Sequence, residues 1–261
     1  MFDFHMHSII SFDGQERPEF MVRAAEEKGL KEICFTEHAD YQKGKNMQDM
    51  VFDMQSYHSL LDSLCSNTVK IRRGIEFGLK EYNAEQLKKD LAKRTYDFVI
   101  GSVHFVDEID VYFPEFWEGR TIAAAEQRFM EQTLCCVQAH DGFDVLGHLT
   151  YISKSSSHPC NRPLEFETYR EFTDEILRIL VSKGIGLEVN TSGMCRVGRF
   201  LPDEPYLRRF KELGGEIVTV GSDAHTLDRV GQHSKEACDL LRDIFGYVCT
   251  FEDRKPIFHK L

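Results

Sequence analysis

Short apolar runs alternate with helix-length amphipathic stretches from one end of this 261-residue chain to the other, and almost every run ends on a histidine, an amide or a carboxylate. Runs rich in β-branched and aromatic residues read as buried strands, and apolar residues recurring every three or four positions read as helices. Strands are predicted over residues 1–8, 32–36, 69–77, 97–102, 145–148, 186–190, 217–220 and 247–251. Helices are predicted over 18–28, 47–65, 85–94, 121–140, 165–183, 205–213 and 236–245. Repeated βα units require a parallel sheet, either closed as a barrel or open and doubly wound. No G-x-G-x-x-G or G-x-x-x-x-G-K sequence follows a strand, so nucleotide-binding folds have no support. About seven strands in such a length fit one α/β domain over residues 1–261, a TIM-like (β/α) barrel.

The first strand introduces the chemistry. Phe2, Phe4 and Met6 alternate with Asp3, His5 and His7. In an extended segment residues two apart share a face, so the imidazoles of His5 and His7 point the same way. Alone, such a pair reads most simply as two surface histidines on an edge strand. The rest of the chain changes that reading, because His38, Glu76, His104, His148, Asn190, Asp223 and His225 also stand at or just past predicted strand ends. In a (β/α) barrel these ends converge on one face, where active sites are built. Burying such groups without partners would cost ~1–3 kcal/mol each. A metal site is the economical explanation. Zinc takes about four ligands. With Asp13 from the loop after the first strand, the set suffices for two or three divalent ions, Zn, Fe or Mn. Asp13 also reads as a plain turn residue before Gly14. Glu76, with two oxygens to offer, is the natural bridge.

The formal net charge of −11 argues against a nucleic-acid-binding face, and an anionic substrate would need local cations, arginines or metal ions. No apolar run approaches the ~20 residues of a membrane span. The N-terminus shows no basic region followed by an apolar core, so no signal peptide is expected. The eight cysteines are scattered without a C-x-x-C pair, which fits a reducing cytoplasm.

Asp-Phe-His-Met-His-Ser at 3–8, Thr-Glu-His at 36–38, Gly-Ile-Glu at 74–76, Gly-Ser-Val-His at 101–104, Gly-His-Leu at 147–149 and Gly-Ser-Asp-Ala-His at 221–225 resemble the PHP (polymerase and histidinol phosphatase) superfamily. The resemblance spans residues 3–225 in the family's order. It implies a distorted seven-stranded barrel with a trinuclear metal centre at the C-terminal strand ends. It further implies that His5, His7, Glu76 and Asp223 hold one ion, Glu76, His104 and His148 a second, and Asp13, His38 and His225 a third. Gly-Ser-Val-His-Phe-Val at 101–106 and Glu-Val-Asn-Thr-Ser-Gly-Met-Cys-Arg at 188–196 are similar to the histidinol-phosphatase branch. The second run implies Arg196 as a phosphate ligand, with Arg162 next and Arg199 close enough in sequence to stand in for Arg196.

The expected activity is hydrolysis of L-histidinol phosphate, a step of histidine biosynthesis, by a metal-bound hydroxide, with Glu76, Asp223 and Arg196 as catalytic residues. A small cationic leaving group needs its own pocket. Phe105, Asp107, Tyr112, Phe113, Glu115, Phe116 and Trp117 are candidates to line it, and read equally well as core and rim of an inserted loop. Three alternatives share much of the pattern. One is a PHP enzyme acting on a phosphodiester, a nucleotide or phosphotyrosine, and another is a non-catalytic PHP module. The third is the amidohydrolase barrel, which also opens with His-x-His but commonly uses a bridging lysine where this chain has Glu76.

Overall fold

The computed structural model describes residues 1–43 and 49–261. Seven parallel strands form a nearly closed barrel in the order β1 (Phe2–Met6), β2 (Glu32–Asp40), β4 (Lys70–Gly78), β5 (Phe98–Ser102), β8 (Val145–Leu146), β9 (Gly186–Asn190) and β10 (Val218–Gly221). The missing numbers belong to short antiparallel strands: β3 (Met50–Val51) on the edge of β2, and the hairpin β6 (Phe105–Val106) with β7 (Ile109–Asp110). Strand β1 returns to β10 through His7 N–H to Ala224 C=O at 2.8 Å and Asp223 N–H to His5 C=O at 2.7 Å. That approach needs a glycine. A Cβ at Gly221 would lie 2.3 Å from His5 Cβ and 2.4 Å from Glu188 Oε1.

Every residue of β1 and β2 is buried, as parallel strands covered on both faces require. The register of β1 on β2 slips between Asp3 and Met6. An irregularity of this kind re-aims side chains, and it falls on the segment that carries His5. Helices α1 (Pro18–Glu27), α2 (Met54–Ser63), α3 (Ala84–Lys93), α5 (Ile122–Ala139), α6 (Arg170–Ser182), α8 (Glu204–Glu212) and α9 (Ser234–Ile244) link the strands, with short turns α4 (Pro114–Trp117) and α7 (Met194–Val197) between them. The last strands, β11 (Tyr247–Glu252) and β12 (Lys255–Lys260), form a hairpin whose Phe251 packs on Phe98 at 4.8 Å between ring centroids.

The helix expected over 47–65 is shorter. Asp53 caps α2 by accepting from Ser56 N–H at 2.6 Å, and Met50–Val51 pairs with Ala39–Asp40 at the C-terminal end of β2. Met47 lies outside the described residues. Helix 165–183 begins as a 3-10 turn over Glu167–Tyr169, and β12 and the β6–β7 hairpin had no counterpart in the prediction.

Candidate metal centre

Glu76 stands at the middle of the C-terminal face, fully buried. Its Oε2 lies 2.9 Å from His38 Nδ1, 3.3 Å from His5 Nε2 and 3.4 Å from His7 Nε2. Its Oε1 lies 2.8 Å from His148 Nε2 and 3.2 Å from His104 Nε2, and accepts from Ser102 Oγ at 2.6 Å. One carboxylate thus presents an oxygen to each half of a histidine cluster. Asp223 closes the first half, with Oδ1 at 3.5 Å from His7 Nε2 and 3.8 Å from His5 Nε2. Its backbone is left-handed, φ 55°, which turns the chain so that Asp223 and His225 both face inward. Asp13 Oδ2 lies 3.1 Å from His225 Nε2 and 3.5 Å from His38 Nε2. All nine expected ligand positions therefore meet around one space. Ligand atoms within 4.8 Å of one another fall into four groups: His7, His38 and His225; His5, Glu76 and His148; His5, His7 and Asp223; and His38, Asp40 and His104.

Outer partners aim most of the rings. His5 Nδ1 lies 2.6 Å from Glu188 Oε1, His104 Nδ1 3.0 Å from Asp40 Oδ1, His225 Nδ1 2.9 Å from Asp223 C=O and His7 Nδ1 3.3 Å from Ser11 Oγ. In each pair the Nδ1–H donates outward, which fixes the tautomer and leaves the Nε2 lone pair turned inward. His5 Nε2 and His7 Nε2 then face each other at 3.1 Å. Such an arrangement suits a shared cation. Glu76 Oε2 and His38 Nδ1 are buried without a hydrogen bond, which fits the same need.

Charge tells the same story. Burial alone would lower His5, but Glu188, Glu76 and Asp223 outweigh it and hold its pKa well above the ordinary value. At His104 burial is likewise outweighed, by Asp40 and Glu76, and the pKa rises to about 10. His7 goes the other way, well below the ordinary range, through burial and the neighbouring His38 and His225. Burial would raise Glu76, yet His5, His104 and His38 hold it well below the usual carboxylate range. The carboxylates thus favour positive charge at His5 and His104, the kind of charge that divalent cations would supply.

Above the cluster opens a cavity of about 360 Å³, whose walls include Phe12, Phe105, Tyr112, Phe113 and Tyr151. Of the seven candidates between 105 and 117, Phe105, Tyr112 and Phe113 reach this cavity, whereas Phe116 and Trp117 are buried in the core, Asp107 pairs with Arg128 and Glu115 is exposed. Lys154 is the one lysine or arginine lining the cavity among the described residues. Its Nζ bonds Asp223 Oδ2, and Ser192 Oγ at 3.0 Å.

Arg162, Arg196 and Arg199 do not line the cavity. Arg162 Nη2 bonds both oxygens of buried Glu126 at 2.8 and 2.9 Å, Arg196 Nη2 bonds Ser156 C=O at 2.7 Å, and exposed Arg199 lies 4.0 Å from Asp203. Sequence reasoning passed over Asp40, Glu188, Glu37, Asp3 and Lys154. Asp40 follows His38 by two residues and Glu188 precedes Asn190 by two, so strand alternation held a signal for both. Glu37 clasps the 8–11 loop through both the N–H and Oγ of Ser8 and Ser11. Asp3 accepts from Ser222 N–H at 2.8 Å and Gly231 N–H at 2.7 Å, below the centre. A lone lysine in a 3-10 turn gave no signal at all.

This barrel, with a histidine–carboxylate cluster at its C-terminal face, is matched over residues 3–192 by the family model of the PHP domain. The chain belongs to the PHP family. A probable histidinol-phosphatase of Clostridium acetobutylicum is 31% identical over 257 residues, covering 97% of this chain and 98% of its own. A histidinol-phosphatase of Lactococcus lactis subsp. lactis is 32% identical over 261 residues, 97% of this chain and 95% of its own. The crystal structure of histidinol phosphate phosphatase from that species, with zinc, L-histidinol and phosphate, superposes with a TM-score of 0.88 at 31% identity, covering 98% of each chain.

Proposed function

We propose that this chain is a metal-dependent phosphomonoesterase that hydrolyses L-histidinol phosphate to L-histidinol and phosphate, within histidine biosynthesis. One observation carries the reading: Glu76 offers an oxygen to each half of the histidine cluster under a cavity, in a chain that aligns end to end with a histidinol phosphate phosphatase. The ligand sets are His5, His7, Glu76 and Asp223; Glu76, His104 and His148; and Asp13, His38 and His225, for two or three divalent ions. Bound there, such ions supply an acidified water and offset charge on the phosphoryl oxygens.

The chain's own side chains do the rest. Lys154, held over Asp223 and Ser192, points a cation into the cavity for a phosphate oxygen. Arg196, which bonds Ser156 C=O outside the cavity, would have to swing from that partner to reach the same group, and Arg162, tied to Glu126, and Arg199 would act only from further out. Guanidinium matches phosphate bidentately. Asp223 turns its Oδ1 to His5 and His7, as a shared ligand would, while Lys154 holds its Oδ2. Residues 1–261 work as one catalytic unit on a small molecule, and the eight unpaired cysteines favour the cytoplasm. No helix among the described residues is long and apolar enough to cross a membrane.

Phosphate release from L-histidinol phosphate, p-nitrophenyl phosphate and a phosphodiester, measured on metal-replete protein, tests the reading. A preference for histidinol phosphate of several orders in kcat/KM is expected. Similar slow rates on both monoesters, or a preference for the diester, would sink it.

A further inference from the structure

Four carboxylates line the cavity, and three of them are engaged: Asp13 with His225 at 3.1 Å, Asp40 with His104 at 3.0 Å, and Asp223 with Lys154. The fourth, Asp110, has no lysine, arginine or histidine within 4.0 Å among the described residues. Its Oδ1 accepts only Tyr112 N–H, at 2.8 Å. Its position is built. The β6–β7 hairpin turns through Asp107 and Glu108, both at positive φ, and places Asp110 opposite Phe105. The next residue, Val111, ties back to the metal-proximal strand end through its N–H to His104 C=O at 3.1 Å. Two aromatic rings that line the same cavity are unusually bare for their size, Phe12 at 61% and Phe113 at 52% exposure.

From this placement we infer that Asp110 is the counter-ion for a cationic leaving group, and that Phe12 and Phe113 flank that group's flat ring. The inference rests on the phosphomonoesterase reading and adds its specificity element. Phosphate bound over the histidine cluster would leave the alcohol half of the substrate in the aromatic part of the cavity. There a protonated amine gains a carboxylate in a partly desolvated site, and a ring gains two apolar faces. A neutral aryl alcohol gains the ring contacts alone. Asp110 is thus a specificity-determining residue whose partner carries an ammonium or imidazolium.

The test compares wild type with Asp110→Asn and Phe113→Ala on metal-replete protein, using L-histidinol phosphate, O-phosphoethanolamine and p-nitrophenyl phosphate. The quantity read is the kcat/KM for each cationic ester divided by that for the aryl ester. Asp110→Asn is expected to lower both quotients by about 10–100-fold, mainly through KM. Phe113→Ala, which alters an exposed ring, should lower the histidinol phosphate quotient more than the phosphoethanolamine one. Quotients unchanged in Asp110→Asn would overturn the assignment, whether the absolute rates fall together or stay constant. A wild type without preference for histidinol phosphate, whose phosphoethanolamine quotient still collapses in Asp110→Asn, would instead discard the histidinol reading and keep the cation site.

Discussion

Glu188 does not line the cavity, yet two of the histidines depend on it. Its Oε1 accepts from His5 Nδ1 at 2.6 Å and its Oε2 from His148 N–H at 2.8 Å, with Asn190 Nδ2 also on Oε2 at 3.2 Å. Glu188→Gln keeps the shape but leaves one acceptor for donors on both sides. An amide NH₂ must then face either His5 Nδ1–H or His148 N–H, and one ring or loop has to move. Outer partners of this type are typically worth about 10–100-fold in metal affinity or activity. A fall of that size is expected in Glu188→Gln, read by metal titration against steady-state turnover, and unchanged metal affinity would remove the role. The inner ligands were readable because period-two alternation and strand ends announce them together. The partners behind them were not, since a buried Glu two residues from a strand end reads equally well as a core ion pair.

At the scale of elements, the terminal hairpin shows what local signals leave out. Its turn residues Asp253 and Arg254 both take positive φ, a conformation usually marked by Asn-Gly or Asp-Gly. Neither residue announces the turn, and so β12 had no sequence cue. The turn is held instead by tertiary bonds: Arg254 N–H to Asp97 C=O at 2.9 Å, Arg254 Nη2 to Gly142 C=O at 2.8 Å and Arg254 Nε to the carboxylate of Asp144. Asp144 is largely buried, and burial pushes its carboxyl upward against the pull of Arg254. Arg254→Ala leaves that carboxylate without its cation, far from the metal cluster. A loss of about 1–3 kcal/mol is expected in denaturant unfolding with kcat unchanged. A drop in kcat at full stability would mean that the hairpin communicates with the site. The barrel itself was legible from βα alternation. The start of α2 was not, because Met50–Val51 fits a helix face as well as the edge of β2.

Across the whole molecule the candidate centre is also where the barrel closes. Its ligands and their partners come from all seven barrel strands or the residues just past them: His5 on β1 and His7 just after it, His38 and Asp40 on β2, Glu76 on β4, Ser102 and His104 at β5, His148 after β8, Glu188 on β9, and Asp223 and His225 after β10. Ions bound there would tie strand ends that otherwise hold together against crowded imidazoles and carboxylates. A ligand that binds only the folded chain stabilises it by about 3–4 kcal/mol at 100 to 1,000 times its dissociation constant. For a chain of this size that corresponds to roughly 5–15 °C in melting temperature. Stripping metal with a strong chelator, confirmed by elemental analysis, is therefore expected to abolish phosphate release and lower the melting temperature by that amount. Adding back Zn, Mn or Fe should restore both together, and the ion that restores activity at the lowest free concentration identifies the working metal. Stability recovered without activity would mean that the ions hold the barrel but the phosphoryl chemistry lies elsewhere. If chelation changes neither quantity, the cluster is not a metal site, and its histidines and carboxylates must balance one another through protons alone.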